Sequence, residues 1–236
     1  MTANPKLKLY HYPATRSARV RWLLHELFDD RFELEVVKLY DGEQYSAAYL
    51  QKNPNHCVPA LELTTADGQT MSMIESGAMV VLLADAYPEQ GLAPPPAPLS
   101  AARADYLQVV HFAASWVDMM LWQIRLHEHL LASDEQDART AARYRRKFRD
   151  EVEPQLIARL SRQRFACGDH FSAADCIVGH DVLWARAYGL CLDPVFERYV
   201  GGFFERPAFL QAMSDLGDFM LEIPAEKQSV RALFTG

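Results

Sequence analysis

A proline-rich segment near residue 90 separates two parts of the chain whose hydrophobic patterns differ. Residues 88–98 read PEQGLAPPPAP, a composition that favours extended backbone over a helix or a paired strand. Strand-like and helix-like patterns alternate before this segment, whereas no convincing strand pattern follows it. We therefore expect two domains, residues 1–88 and 100–236, joined by a linker over residues 89–99.

The first part has the patterns of four strands and three helices, which are distinguished by a period of two or of three to four residues. In chain order they are a strand at Leu7–Tyr10, a helix at Ser17–Leu27, a strand at Glu33–Leu39, a short helix at Tyr45–Leu50, strands at Val58–Leu63 and Met71–Ile74 joined by a turn at Ala66–Gly68, and a helix at Ser76–Tyr87. The order βαβαββα predicts a mixed sheet flanked by helices.

The second part is predicted to be all-helical, so the fold class is α/β plus all-α. Its helical patterns cover Ser100–His129, Asp134–Arg162, Phe171–Gly189, Pro194–Phe204 and Pro207–Asp215. Ser172 and Asp175 precede an apolar run at the spacing of a capping box, with Asp in place of the usual Glu or Gln.

Composition excludes several classes of protein. Half of the 236 residues are hydrophobic and the formal net charge is −7, which argues against a general nucleic-acid binder. Apolar runs such as Ala78–Ala84 are too short to span a bilayer, and Met1–Lys8 lacks the apolar core of a secretion signal. We therefore expect a cytoplasmic protein that binds neither nucleic acid nor a membrane.

The cysteines and histidines give no metal signature. Cys57, Cys167, Cys176 and Cys191 have no paired spacing, and a reducing compartment would keep them as thiols. Because the histidines do not cluster with them at ligand spacing, we predict no metal site.

The first candidate site lies where the first strand turns into the first helix. Pro13 is followed by Thr15, Arg16 and Ser17 just as the helix must begin. A helix N-terminus leaves backbone N–H groups unpaired and attracts anions, including a thiolate carried by a ligand. Ordinary N-capping by Thr15 or Ser17 explains the same residues and is the preferred interpretation of this segment alone.

Two further segments have a structural and a functional interpretation. Pro59 follows Val58 at the start of a strand, where it suits either an edge strand or a cis bond that turns the Val58 backbone towards a groove. A peptide ligand could pair with that backbone. Glu75 and Ser76 stand where a strand passes into a helix, as a cap or as ligands for an amino-acid head group.

Together these segments resemble the cytosolic glutathione transferase family. The resemblance rests on T-R-S-x-R-V-x-W-L-L-x-E-L from Thr15, N-P-N-x-x-V-P-x-L from Asn53 and E-S-x-A from Glu75. It implies a thioredoxin-like domain that binds glutathione and a helical domain that forms most of the pocket for the second substrate.

The resemblance also implies roles for individual residues. The Val58 backbone would pair with the glutathione cysteine, Pro59 would be a cis proline, and Glu75 and Ser76 would hold the γ-glutamyl group. Asp175 would be a structural capping residue.

A hydroxyl near the first helix would stabilise the thiolate, and Ser17 is preferred to Thr15 for this role. Tyr10, within the strand, is interpreted as a packed ring. Arg16 would add positive potential or face the solvent.

One departure from the family pattern affects the glycine end of glutathione. Relatives often have Gly-Lys where this chain has His56 and Cys57, and the lysine is available to the glycine carboxylate. Gln44, His56 or an arginine could take its place. Cys57 could form a mixed disulfide with glutathione, or it could be a buried inert thiol.

The predicted reaction is a conjugation, and one long helix offers candidate residues for the pocket of the second substrate. They are Trp116, Met119, Met120 and Gln123, with His111 and His127 as conceivable acid–base groups. An aromatic and methionine stripe at helical spacing more often belongs to the core than to a pocket. The resemblance implies a homodimeric transferase that joins glutathione to small hydrophobic electrophiles. A glutathione-dependent isomerase, peroxidase or reductase and a non-catalytic binding protein are the alternatives.

Overall fold

The first domain is built on a mixed four-stranded sheet. The computed structural model describes residues 6–65 and 67–217, so Ala66 of the predicted turn and residues 1–5 and 218–236 lie outside the described residues. The strands are β1 (Leu7–His11), β2 (Glu33–Val36), β3 (Ala60–Thr64) and β4 (Thr70–Met73). They lie in the order β2-β1-β3-β4, with β1 parallel to β2 and the other pairs antiparallel.

Three helices accompany the sheet, as the alternating pattern predicts. They are α1 (Ser17–Phe28), the single turn α2 (Ala47–Leu50) and α3 (Ser76–Ala86). Strand β2 ends three residues earlier than expected, because the chain turns into a 3₁₀ segment at Leu39–Asp41 that closes on Gly42 at φ +78°. That turn carries the following residues towards the open end of β1.

The second domain is helical throughout residues 100–217 apart from an isolated bridge between Phe165 and Gly168. Its helices are α4 (Ala101–His111), α5 (Asp118–Arg125), α6 (Ala138–Lys147), α7 (Glu153–Leu160), α8 (Ala173–Ala187), α9 (Pro194–Gly201) and α10 (Pro207–Ala212). Segments of π-helix, Phe112–Val117 and Phe148–Val152, join α4 to α5 and α6 to α7 without a break. The expected α/β plus all-α architecture is confirmed.

Side-chain caps fix where several of these helices begin. Ser100 accepts a hydrogen bond from the Arg103 N–H, and Asp193 accepts one from the Val195 N–H. The predicted capping box at Ser172 and Asp175 is present at the start of α8. Asp175 is fully buried, and its carboxylate also binds the Ala166 N–H and the Tyr199 hydroxyl, which supports a structural role.

Helix α1 is the centre of the molecule. Every residue of Ser17–Phe28 except Glu26 is buried, because β1, α3, α8 and α10 all pack against α1. The Trp22 ring contacts the rings of Phe171, Phe203 and Phe209. A single hydrophobic core therefore runs through both domains, and the start of α1 opens where they meet. Within residues 6–65 and 67–217, no helix is long and apolar enough to cross a membrane.

Candidate functional site

Two adjacent cavities lie along the groove between the domains and share Arg16, Cys57 and Val58. The smaller, of about 470 Å³, reaches the start of α3 and is lined by Pro59, Glu75 and Ser76 among others. The larger, of about 600 Å³, reaches the start of α1 and is lined by residues that include Thr15, Gln44 and His56. Of the residues predicted to contact glutathione, all except Ser17 line one of the two.

The wall between the cavities is the segment that leads into β3. The Val58–Pro59 bond is cis. The Tyr49 hydroxyl and the amide of the buried Asn53 each donate to the Cys57 carbonyl at 2.7 Å, while the Asn53 oxygen accepts from the Asn55 N–H at 2.9 Å. These bonds hold Val58 at the junction of the two cavities.

Glu75 and Ser76 form the far end of the smaller cavity. Glu75 is the N-cap residue of α3, with φ +73° and ψ +102°, in the left-handed region that a residue with a Cβ seldom adopts. The side-chain cap considered for Ser76 is absent, because Ser76 is the first residue of the helix itself. Gly77 and Ala78 also line the cavity, which places it against the first turn of α3.

The hydroxyls of Thr15 and Ser17 differ in access. Thr15 lines the larger cavity, and its Oγ1 lies 2.6 Å from the Tyr12 carbonyl and 2.7 Å from the Ser17 Oγ. Ser17 is fully buried behind it, within reach of the Tyr12 N–H. The N-cap residue of α1 is Arg16, which makes no side-chain capping bond, but the Thr15 Oγ1 accepts from the N–H of Ser17, the first residue of the helix, at 3.3 Å.

A buried hydrogen-bonded chain continues behind Ser17. His11 Nδ1 lies 2.8 Å from the Ser17 Oγ, and His11 Nε2 lies 3.2 Å from Asp215, which also binds Arg21. Burial lowers the pKa of His11, so its ring is neutral. Although burial disfavours the Asp215 carboxylate, the bond to His11 and the charge of Arg21 lower its pKa. The carboxylate can only accept, so the His11 proton resides on Nε2 and Nδ1 accepts from Ser17.

Arg16 is held inside the groove instead of facing the solvent. Its Nε donates to both Asp118 oxygens at 2.8 and 2.9 Å, and its guanidinium lies against the rings of Trp122 and Trp184, 4.8 and 5.3 Å from their centroids. The chain therefore neutralises this cation with a carboxylate from α5, 102 residues away along the chain.

Arg19, one turn further along α1, binds aspartate side chains from both α5 and α8. Its Nη2 contacts Asp118 at 2.7 Å and also Asp181. Although burial disfavours the charge, Arg19 and Arg16 lower the pKa of Asp118 to about 2. Burial raises the pKa of Asp181 to about 8 in spite of Arg19. The start of α1 is thus fixed by charges from the helical domain.

His180 joins this network from α8. Burial, followed by the charge of Arg19, lowers the pKa of His180 well below its usual value. Its neutral Nδ1 accepts from the Arg19 Nε at 3.1 Å, and the ring also bonds to the Thr15 backbone. Asp118, Arg19, Asp181 and His180 are absent from the sequence prediction, because single-sequence patterns cannot pair residues on such distant helices.

The four residues considered on the long helix line neither cavity. Met120 is fully buried in the core, and Trp116 lies on the surface beneath Lys147, whose Nζ is 4.7 Å from the ring centroid. Neither of the cavities is lined by Met119 or Gln123. The helix instead presents Trp122 and Arg125, three residues apart on one face, to the larger cavity, and α8 contributes Trp184 opposite.

The remaining predicted residues are distributed as follows. Tyr10 is packed in the sheet with its hydroxyl on Glu62, as expected. His111 lines the smaller cavity, whereas His127 accepts from the Asp137 N–H outside both. Cys57 is an exposed residue at the junction of the two cavities. Partial burial of its thiol raises the pKa of that thiol, although the hydrogen bond from Asn53 and the charge of Arg16 lower it. The thiol is therefore protonated at neutral pH.

The groove also provides an open end near Gln44 and His56. The His56 ring lies against that of Tyr45, with 4.9 Å between centroids. The Gln44 side-chain oxygen is buried and has no hydrogen-bond partner among the described residues. Across residues 6–65 and 67–217 no group of His, Cys, Asp or Glu side chains is arranged to hold a metal ion.

Comparisons with known proteins match this chain to glutathione S-transferases. Residues 9–91 match the family model for the glutathione S-transferase N-terminal domain. Glutathione S-transferase D7 of Anopheles gambiae is 26% identical over 191 residues, 79% of each chain. A zeta-class glutathione S-transferase of Euphorbia esula is 38% identical over 92 residues, 39% of this chain and 38% of its own.

The fold likewise matches solved structures. A glutathione transferase from Burkholderia graminis, crystallised with two glutathione molecules per subunit, superposes with a TM-score of 0.76 at 24% identity. The superposition covers 89% of this chain and 88% of that one.

Proposed function

We propose that this chain, a member of the glutathione S-transferase family, binds glutathione along the groove and activates its thiol for attack on a small electrophile. The observation that supports this most is the continuity of the two cavities at Val58. Together they extend from the first turn of α3 to the start of α1.

Each part of glutathione then has a complementary surface. Glu75 receives the γ-glutamyl ammonium, while Ser76 and the backbone of the first turn of α3 receive its carboxylate. The peptide pairs with the Val58 backbone as an added strand. The Gln44 amide and His56 offer donors to the glycine carboxylate, in place of the lysine that the family often uses there.

The thiol is thereby directed towards Thr15. A free thiol has a pKa of about 8.5, so only a few per cent is ionised at neutral pH. The Thr15 hydroxyl can turn its proton from the Tyr12 carbonyl to the sulfur, and the start of α1 adds a positive potential. Lowering the thiol pKa by ~2 units corresponds to about 2.7 kcal/mol of differential stabilisation.

The reaction needs no covalent step on the protein. The thiol proton passes to water, the thiolate forms a bond to the electrophilic atom, and the leaving group departs with the electron pair of the broken bond. Ser17 supports this step by holding Thr15 from behind, a role that its burial favours over direct contact with the sulfur.

Thr15→Val, Thr15→Ser and Ser17→Ala distinguish these roles. Valine keeps the shape of threonine without the hydroxyl, so we expect Thr15→Val to bind glutathione. The apparent pKa of the glutathione thiol, taken from the pH profile of kcat/KM, should rise by about one unit or more in this variant. Thr15→Ser should retain the wild-type profile. Titration calorimetry with glutathione and conjugation of a chlorodinitrobenzene provide the measurements.

Two results would count against the proposal. Absence of glutathione binding at millimolar concentration would exclude any glutathione-dependent reaction. An unchanged pH profile in Thr15→Val together with a shifted one in Ser17→Ala would assign the hydroxyl to Ser17. We also propose that the protein is a homodimer and is located in the cytoplasm. Light scattering after gel filtration measures its molar mass in solution and so tests the homodimer.

A further inference from the structure

The larger cavity is cationic in a protein whose formal net charge is −7. Arg16 and Arg125 contribute to its lining, whereas none of the residues that line it is an aspartate or a glutamate. A wall with arginines and without carboxylates favours the binding of an anion.

The two arginines in the cavity differ in their partners. Asp118 neutralises Arg16 through a bidentate pair. Arg125 forms no ion pair with any residue of the described ranges, and the carboxylate one turn further along, Glu128, is held by both nitrogens of Arg145 at 2.6 and 2.7 Å. Arg125 is half-buried, and a half-buried cation without a counter-charge is stabilised by an anionic ligand.

Glutathione itself does not supply that anion in the proposed pose. Its γ-glutamyl carboxylate lies at Ser76, and its glycine carboxylate lies on the sheet side at Gln44 and His56. Arg125 belongs to α5 on the helical side, where it also borders a small recess with Leu183 and Met213. The space between Arg125 and Thr15 is therefore left to the second substrate.

The walls of that space are suited to a flat molecule. Trp122 and Trp184 stand on the helical side and Tyr40 on the sheet side. Resting on the proposed function, we infer that the second substrate is an aromatic or conjugated electrophile that carries a carboxylate or sulfonate, which pairs with Arg125 while its reactive carbon faces the glutathione sulfur.

An acid and amide pair of one electrophile tests this assignment. With p-chloro-m-nitrobenzoate, the thiol proton of glutathione passes to water and the thiolate forms a C–S bond at the chlorine-bearing carbon. Chloride then leaves with the electron pair of the broken C–Cl bond. The corresponding benzamide reacts in the same way without the anion. The measured quantity is the ratio of kcat/KM for the acid to kcat/KM for the amide.

We expect this ratio to fall at least about tenfold in Arg125→Met, because a charge-assisted hydrogen bond is lost from the acid alone. Arg125→Lys should keep most of the preference. Arg143→Met is the matched control, since Arg143 is an exposed arginine of α6 outside both cavities and its loss changes the net charge equally. The glutathione Kd should be the same in all of these proteins.

A ratio unchanged in Arg125→Met would overturn the inference. So would a weaker glutathione Kd in that variant with the ratio intact, because Arg125 would then hold the glycine carboxylate. Quenching of tryptophan fluorescence by unreactive m-nitrobenzoate and m-nitrobenzamide separates this inference from the proposed function. Arg125-dependent binding of the acid without any conjugation would support the anion site and refute the transferase activity.

Discussion

Thr15 and Ser17 are two residues apart, yet their hydroxyls can donate in different directions, Ser17 into the protein and Thr15 towards the cavity. The chain of bonds from Asp215 through His11 draws the Ser17 proton to His11 Nδ1, so the Ser17 oxygen offers lone pairs towards Thr15. The Thr15 oxygen accepts from the Ser17 N–H at 3.3 Å. Thr15 therefore keeps a proton that it can direct to a ligand in the cavity.

His11 is accordingly a positioning residue for the Thr15 hydroxyl. In His11→Leu the Ser17 proton loses its acceptor and competes with Thr15 for the Tyr12 carbonyl, so the Ser17 oxygen no longer holds the Thr15 hydroxyl in one orientation. We expect kcat/KM at neutral pH to fall about tenfold and the apparent thiol pKa to rise by about one unit. The pH profile of conjugation is the measurement.

His25→Leu is the control for His11→Leu. His25 is also buried in the first domain, has a pKa lowered by burial, and makes its bond to the Asp29 carbonyl at the far end of α1. Its loss should change stability but leave the pH profile in place. A profile unaltered in both variants would show that the buried chain does not influence the hydroxyl.

For single residues, the sequence predicted those site residues whose position follows from their neighbours along the chain. Val58, Pro59, Glu75 and Ser76 were identified because each stands at a junction of a strand with a turn or a helix. Arg125 and His180 lie on helices whose rotation about their own axes depends on packing. The π-helical segment before α5 alters that rotation, which is why Met120 faces the core and Trp122 faces the cavity.

Among the elements, α8 packs tightly against aromatic rings at Gly179. A Cβ at this position would lie 2.7 and 2.9 Å from ring carbons of Phe203 and 3.3 Å from the Trp22 ring. Phe203 is fully buried, so its ring has no open space into which to move. The glycine thus allows α8 to carry His180 and Asp181 up to the start of α1.

Gly179→Ala should therefore destabilise the protein, although alanine is the better helix former. Overpacking of a filled core costs about 1–3 kcal/mol, more than the helix propensity returns. Urea denaturation should show a lower midpoint. Gly201→Ala in α9, where nothing lies within 4 Å of the added Cβ, is the control and should be neutral or slightly stabilising. Equal midpoints for both variants would contradict this account.

Element order followed from hydrophobic periodicity, whereas element ends depended on tertiary contacts. The apolar run Glu33–Leu39 predicted a longer second strand than the structure has. Val37 makes the last backbone bond to β1, from its N–H to the His11 carbonyl at 2.8 Å, after which β1 itself turns away. A strand can extend only as far as its partner, and the partner's end is not encoded in the strand's own sequence.

At the scale of the whole molecule, the two domains share one core and one set of buried charges. Trp22 of the first domain packs among aromatic rings of the second, and Arg19 binds carboxylates of α5 and α8. Neither domain can unfold without exposing these groups. We therefore expect tryptophan fluorescence and far-ultraviolet circular dichroism to report a single coincident unfolding transition.

Asp118 and Asp181 contribute to that transition with opposite dependence on pH. The pKa of Asp118 is lowered to about 2, so its stabilisation is complete above its unfolded value of about 3.9 and disappears as the pH falls towards 2. The pKa of Asp181 is raised to about 8, so the folded protein holds a proton there, and stability falls as the pH rises from about 3.9 to 8.

Replacement of each carboxylate by an amide should reveal this difference. Asp118→Asn leaves Arg16 without an anionic partner and Arg19 with only Asp181, so we expect a loss of about 3–5 kcal/mol at neutral pH. Asp181→Asn substitutes an isosteric neutral group for a carboxyl that is already mostly protonated, and it should unfold near the wild-type urea midpoint at pH 6. At pH 9 the wild type must carry a buried second carboxylate beside Asp118, so Asp181→Asn should become the more stable protein. If its midpoint stays below the wild type across this range, Asp181 is ionised in the folded state and Arg19 is shared by two carboxylates.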